Sequence, residues 1–386
     1  MDEGRGVKTG SRGQDMASEA GGGQVAPTSV DPAPVDLGSV DPASVDFALA
    51  DPAPIHATAV DPAPATAPCG PFAPVDARMD WVDAARGIGI LAVVVGHVWM
   101  RGAPHHLAYA FHMPFFFLLS GWLCVRARPP LAFARRQVAQ QMPGYVAYLL
   151  MVLAADLLIE GARGHRPIFH HWPQDIVPLM LGGTWLGGPF TVFWFVPCLV
   201  VARIVQNALL ARWPDMLSRP WLGIALASLA LGYGAGMVTG SSPLGLLTVP
   251  MALFLLWAGG AWRAAGWRRW QLVLLVPAAA ASFLLFPAVN MKAADYGWPV
   301  ASVAGAVAIA FLLMRAARLP VLDVAPLRLL GRASLVIMYL HVPVIHYLTP
   351  YAGRPVLAVL ATLLPLGAWW LFGRTRFTRR LLLAQG

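Results

Sequence analysis

The sequence predicts an all-α, polytopic membrane helix bundle of about ten transmembrane helices behind a disordered N-terminal tail, and three observations carry that reading. Of its 386 residues, 58% are hydrophobic and only 12% charged, a balance that suits neither a soluble domain nor an unfolded chain. The apolar residues gather into runs long enough to cross a bilayer, which takes about 17 to 20 residues each. Finally, the basic residues sit at the ends of those runs, and unequally on alternate sides.

Residues 1–78 repeat a loose VDPAP-like unit rich in Asp, Pro, Ala and Gly. Such a composition cannot bury enough apolar surface to offset its chain entropy, so it reads as a disordered cytoplasmic tail. No charged-then-apolar leader opens the chain, so the first span is expected to direct insertion, with no removable signal. Residues 79–386 form the membrane domain, with apolar runs at approximately 84–100, 107–125, 143–160, 190–210, 220–238, 244–262, 270–288, 297–314, 332–350 and 354–372. Only 14 residues follow the last run, so no second catalytic domain is expected there.

With the N-terminus inside, the inner segments hold 19 basic residues and the outer ones 5, with Arg203 left out because it falls inside a run. An even number of spans with both termini cytoplasmic satisfies the retention of positive charge on the inner side, and an odd number would scramble it. The net charge of +9 and pI near 10.0 do not point to nucleic acid, because the cations form no basic face. From Met79 onward, 24 basic residues stand against 8 acidic ones. Cys69, Cys124 and Cys198 show neither metal-ligand spacing nor a paired framework, and no metal site or bound cofactor is expected.

Chemistry concentrates in one hairpin, Asp83 to Gly121. Ionisable groups inside spans are costly and therefore functional candidates. Arg86 and His97 are separated by ten residues, which on a helix is about 16 Å along nearly the same face. The chain can reverse around Gly102 to Pro104, and His97 lies seven residues before Pro104 while His112 lies eight after it, so both imidazoles should reach similar depth. His97 suits a general base that takes a hydroxyl proton as the oxygen attacks a carbonyl; the alternative is a packing residue donating to a neighbouring carbonyl. Arg86 is either a positive-inside anchor paired with Asp83 or a fork for an anionic acyl donor, with Asp83 holding it.

Ser120 and Gly121 are small enough for close helix contact, and Pro114 fits a first helical turn. The loop from Arg126 to Tyr145, with Arg135 and Arg136, is either a topology anchor or a docking surface for a phosphorylated donor. His341 places another imidazole mid-span, where a structural role is the simpler reading. His165, His170, His171 and Trp172 lie in an outer loop within reach of an acceptor.

The order WVDAARGIGILAVVVGHV before FHMPFFFLLSG resembles the acyltransferase-3 family of integral membrane enzymes, particularly its fucose-acetylase-like branch. FWFVPCLVVARI from Phe193 and LGRASLVIMYLHVPV from Leu330 are weaker matches. The resemblance implies ten spans, an acyl-CoA co-substrate (acetyl-CoA foremost) taken from the cytoplasm, and O-acylation of a sugar, polysaccharide precursor or related hydroxyl. It implies that His97 is the catalytic His, Arg86 the matching Arg and Asp83 its partner, with Ser120 and Gly121 ending the second motif. Many members carry an Arg-x-x-Arg pair after the second span; Arg126, Arg128, Arg135 and Arg136 do not match that spacing, while Arg315 and Arg318 match it in a different loop. The composition suggests a high-GC bacterium and hence its cytoplasmic membrane. The competing class is a transporter or flippase of a polysaccharide or lipid-linked precursor, for which paired broken helices in related halves would be the sign, and no such repeat is visible.

Overall fold

The structure is a computed structural model that describes residues 79–124 and 127–384; the expected N-terminal tail lies outside the described residues. Fourteen α-helices follow in order among the described residues: α1 Asp80–Val98, α2 Ala103–Tyr109, α3 His112–Leu123, α4 Pro130–Ala162, α5 Ile176–Leu181, α6 Phe195–Arg212 and α7 Arg219–Val238 make the first half. The second half is α8 Val249–Ala265, α9 Leu272–Leu284, α10 Ala301–Ala316, α11 Ala325–Arg332, α12 Ser334–Leu348, α13 Arg354–Phe372 and α14 Arg376–Leu382. The described residues contain no strand, only an isolated bridge between Asn290 and Asp295.

Each of the ten apolar runs contains helix, but among the described residues six helical stretches are long and apolar enough to cross a membrane, and a seventh forms if α11 and α12, bent by 78°, count as one. The shortfall has local causes. The second run does not start a helix at 107: α2 ends at Tyr109, Phe111 leaves helical geometry, and α3 runs for only 12 residues, roughly 18 Å of a hydrocarbon core ~30 Å thick. α9 is 13 residues long with Pro277 inside it, and α10 is 16. Short helices leave irregular backbone beside them, which is tolerable where it is buried or lines a cavity. The turn at Met291–Ala293, between α9 and α10, is this irregular backbone, and the turns at Gly183–Trp185 and Gly188–Phe190 add more ahead of α6.

α1 is central and packs on α2, α3, α10, α11, α12 and α13. Its run of Ala84, Ala85, Gly87 and Gly89 is buried and lets neighbours approach to backbone contact. A Cβ on Gly87 would strike the Leu327 carbonyl of α11, and one on Gly331 would strike the Asp83 carbonyl of α1. α3 meets α8 in the same way, through Gly121 against Leu256 and Gly259 against Leu118. Without a hydrophobic drive between helices in lipid, such small-residue contacts are what holds a bundle together.

A polar latch fixes the far end of α12. The Tyr347 hydroxyl donates to the fully buried Asp156 of α4 at 2.8 Å, and the Ile168 amide donates to the other Asp156 oxygen at 2.7 Å. Tyr148 and Tyr339 stack at 4.4 Å between the same two helices.

Replacing Gly121 by Val should lower thermal stability in detergent, because overpacking a well-filled contact costs about 1–3 kcal/mol. A melting temperature equal to wild type would contradict the backbone contact between α3 and α8.

Candidate active site

Three histidines from three helices converge although they are far apart in sequence. His97 lies in the last turn of α1, His112 is the first residue of α3, and His341 sits in the middle of α12. The ring of His97 lies 6.4 Å from that of His112 and 5.0 Å from that of His341, centroid to centroid. The α1–α2–α3 turn makes the first contact: Gly102 takes φ +84°, α2 doubles back, and α3 starts alongside the end of α1. Helix α12, held by the packing described above, supplies the second.

The protons on two of the rings follow from their partners. His112 Nδ1 lies 2.9 Å from the Ala108 carbonyl oxygen and His341 Nδ1 lies 2.7 Å from that of Ile337. A carbonyl only accepts, so each Nδ1 carries the hydrogen and each neutral ring keeps its lone pair on Nε2. His341 is fully buried, and its Nε2 has no hydrogen-bond partner. A buried acceptor left unanswered beside the His97 ring is a ready partner for an N–H of that ring.

His97 and His112 face a cavity of about 130 Å³. Tyr109, Thr191, Asn290 and Lys292 line it with them, and the rest of the wall is apolar or aromatic. The Lys292 ammonium donates to the Leu186 carbonyl and to the Thr191 hydroxyl, both at 2.6 Å. It forms no ion pair with a carboxylate among the described residues. Burial pushes this ammonium down to about 8. Among the described residues, no three His, Cys, Asp or Glu side chains are arranged to hold a metal ion.

The remaining candidates lie elsewhere. Arg86 is eleven residues before His97 on α1, about 16 Å away along the helix, and does not line the cavity. It pairs with Asp83 at 3.6 Å, and the second oxygen of the buried Asp83 meets Arg332 Nε at 3.4 Å. This carboxylate thus ties α1 to α11 at the end opposite His97. Gly121 touches the backbone of α8, and Ser120 precedes it, partly buried, near the same end. Arg135 and Arg136 are exposed on the first turns of α4 and do not line the cavity. His165 pairs with Glu160 and His170 with the Pro167 carbonyl, in a loop whose histidines do not line the cavity.

Tyr109, Thr191, Asn290 and Lys292 were not legible as site residues. They sit in a short helix and in connectors without periodicity; the one available signal was Lys292, the sole basic residue between Arg269 and Arg315.

A family model described as an acyltransferase domain matches residues 79–374. No curated protein matches the sequence.

Proposed function

Because the chain belongs to this acyltransferase family, whose domain covers residues 79–374, we propose that it is a membrane O-acyltransferase that moves an acetyl or small acyl group from cytoplasmic acyl-CoA to a hydroxyl of a sugar, polysaccharide precursor or related metabolite. The observation that carries this reading is the cavity in which His97 and His112 face Lys292. The motif order in the first hairpin favours the fucose-acetylase-like branch, and the arginine asymmetry favours ten crossings of a bacterial cytoplasmic membrane with both termini inside.

The acceptor hydroxyl lies against the free nitrogen of His97, which takes its proton as the oxygen forms a bond to the thioester carbonyl carbon. The carbonyl π electrons move to oxygen, and the Lys292 ammonium is the cation available to that oxyanion. Collapse re-forms the carbonyl, breaks the carbon–sulfur bond, and returns the proton from His97 to the leaving thiolate. His341 acts through His97: its Nε2 lone pair accepts the second N–H of that ring and favours the imidazolium formed in the first step. It is a positioning residue. A cavity walled by aromatic and aliphatic side chains holds the two substrates in line and limits hydrolysis of the thioester.

Removing the base as His97→Ala should slow acceptor-dependent release of free coenzyme A by roughly 10²- to 10⁴-fold at equal protein level; full retention of turnover would discard the assignment. His341→Ala should lower kcat by about 10- to 100-fold, the scale for losing a group that orients an imidazole, with KM little changed and with a displaced acid limb of the pH profile. A loss confined to protein yield would mark it as structural.

The charge of Lys292 is present below about 8 and disappears above it, so turnover should fall as pH rises through that value. Lys292→Arg keeps the cation at high pH and should push this alkaline limb upward. An identical alkaline limb in wild type and variant would mean that Lys292 takes no part.

A further inference from the structure

A second cavity, of about 120 Å³, opens at the end of the bundle opposite the histidines. Three guanidiniums converge on it, Arg263 from the end of α8, Arg315 from the last turn of α10 and Arg318 from the turn that follows, and all three are exposed. Arg263 stands 4.5 Å from the Trp122 ring centroid and donates to the Trp122 carbonyl at 3.0 Å. Arg318 lies 4.2 Å over Trp81, and Arg315 lies 5.7 Å from Trp267. None of the three pairs with a carboxylate among the described residues. Partial desolvation among the tryptophans, followed by the neighbouring charges of Arg315 and Arg263, pulls the otherwise exposed Arg318 below its usual range.

Tryptophans that only anchor a bundle turn outward at the lipid interface. Here Trp122 is buried, meets Trp81 edge-on at 4.9 Å, and shares its cavity with Trp262, which stacks on Phe311 at 3.9 Å. Like charges gathered on aromatic faces, without a carboxylate between them, call for an anion from outside. Guanidinium forks match phosphate oxygens, and indole faces accept a planar ring.

We propose that this basin is a nucleotide subsite, in which a purine ring stacks among the tryptophans while Arg263, Arg315 and Arg318 hold its phosphates. The inference rests on the acyl-CoA reading and gives that donor a place. From Trp122 back to His112 is ten residues of α3, or about 15 Å. A donor anchored here must therefore carry its acyl group on a long arm, as acyl-CoA does. Donor docking then falls to these three arginines and not to Arg135 and Arg136, which do not line the basin.

The test uses the full chain in phosphatidylcholine nanodiscs, titrated with coenzyme A and with adenosine 3′,5′-bisphosphate, and read by calorimetry. Wild type and His97→Ala should bind both ligands. Arg315→Ala with Arg318→Ala should weaken both by about 10-fold or more for each guanidinium removed, and the Lys double variant should recover part of that affinity. Melting curves monitor folding; if the Ala double variant does not fold, Arg263→Gln and Trp267→Ala take its place with the same expected direction. Equal affinity in wild type and in the folded variants would overturn the subsite while leaving the donor reading standing. No binding of coenzyme A to wild type would overturn both. A deficit that shows only as weaker stabilisation by added phosphatidylglycerol, with coenzyme A bound normally, would make the basin a lipid-phosphate site and overturn the proposal.

Discussion

Gly87 of α1 and Gly331 of α11 bring two helices so close that a methyl group on either would strike the carbonyl of the other. The geometry of the histidine cluster depends on contacts of this kind. His97 is presented by α1 and meets rings from α3 and α12, and α1 touches both of those helices. Side chains with flexible stems between the helices would let these rings drift, whereas backbone packed on backbone leaves little freedom. Asp83 adds an electrostatic pin at the same interface through Arg332, with Arg86 beside it on α1.

Because α1 is one unbroken helix from Asp80 to Val98, it also keeps two kinds of chemistry apart. One end gathers carboxylates, arginines and tryptophans; the other gathers histidines and a single ammonium, Lys292, around a cavity. A bulky anion is best met where several guanidiniums are exposed, while a hydroxyl to be deprotonated is best met where little water competes for the base. Separation by about 16 Å along α1, the distance from Arg86 to His97, suits a reaction whose donor is long and whose reacting bond is small.

The irregular backbone is as consequential as the helices. Helices α9 and α10 are short, and the connector between them brings Asn290 and Lys292 to the cavity wall, while Thr191 comes from the turn that leads into α6. Lys292 is tied to Leu186 and Thr191 by two hydrogen bonds, so one side chain both fastens two connectors and sets the charge of the cavity. The exchange is a physical one: a full-length helix would satisfy its backbone internally but could not deliver groups from three chain segments to one point.

Composition, the apolar runs and the positions of the arginines were enough to establish a helical membrane bundle, since burial in lipid demands internally bonded helices and leaves a strong signature in one dimension. The nearness of His97 and His112 was also legible, because a single turn separates them and helical geometry fixes their rise. Where α3 begins, how α11 and α12 bend, the approach of His341 from more than 200 residues away and the entry of Lys292 were decided by tertiary packing. Periodicity describes which face of one element is apolar; which elements face each other depends on the fit of small residues across interfaces, and that fit exists only once the chain has folded.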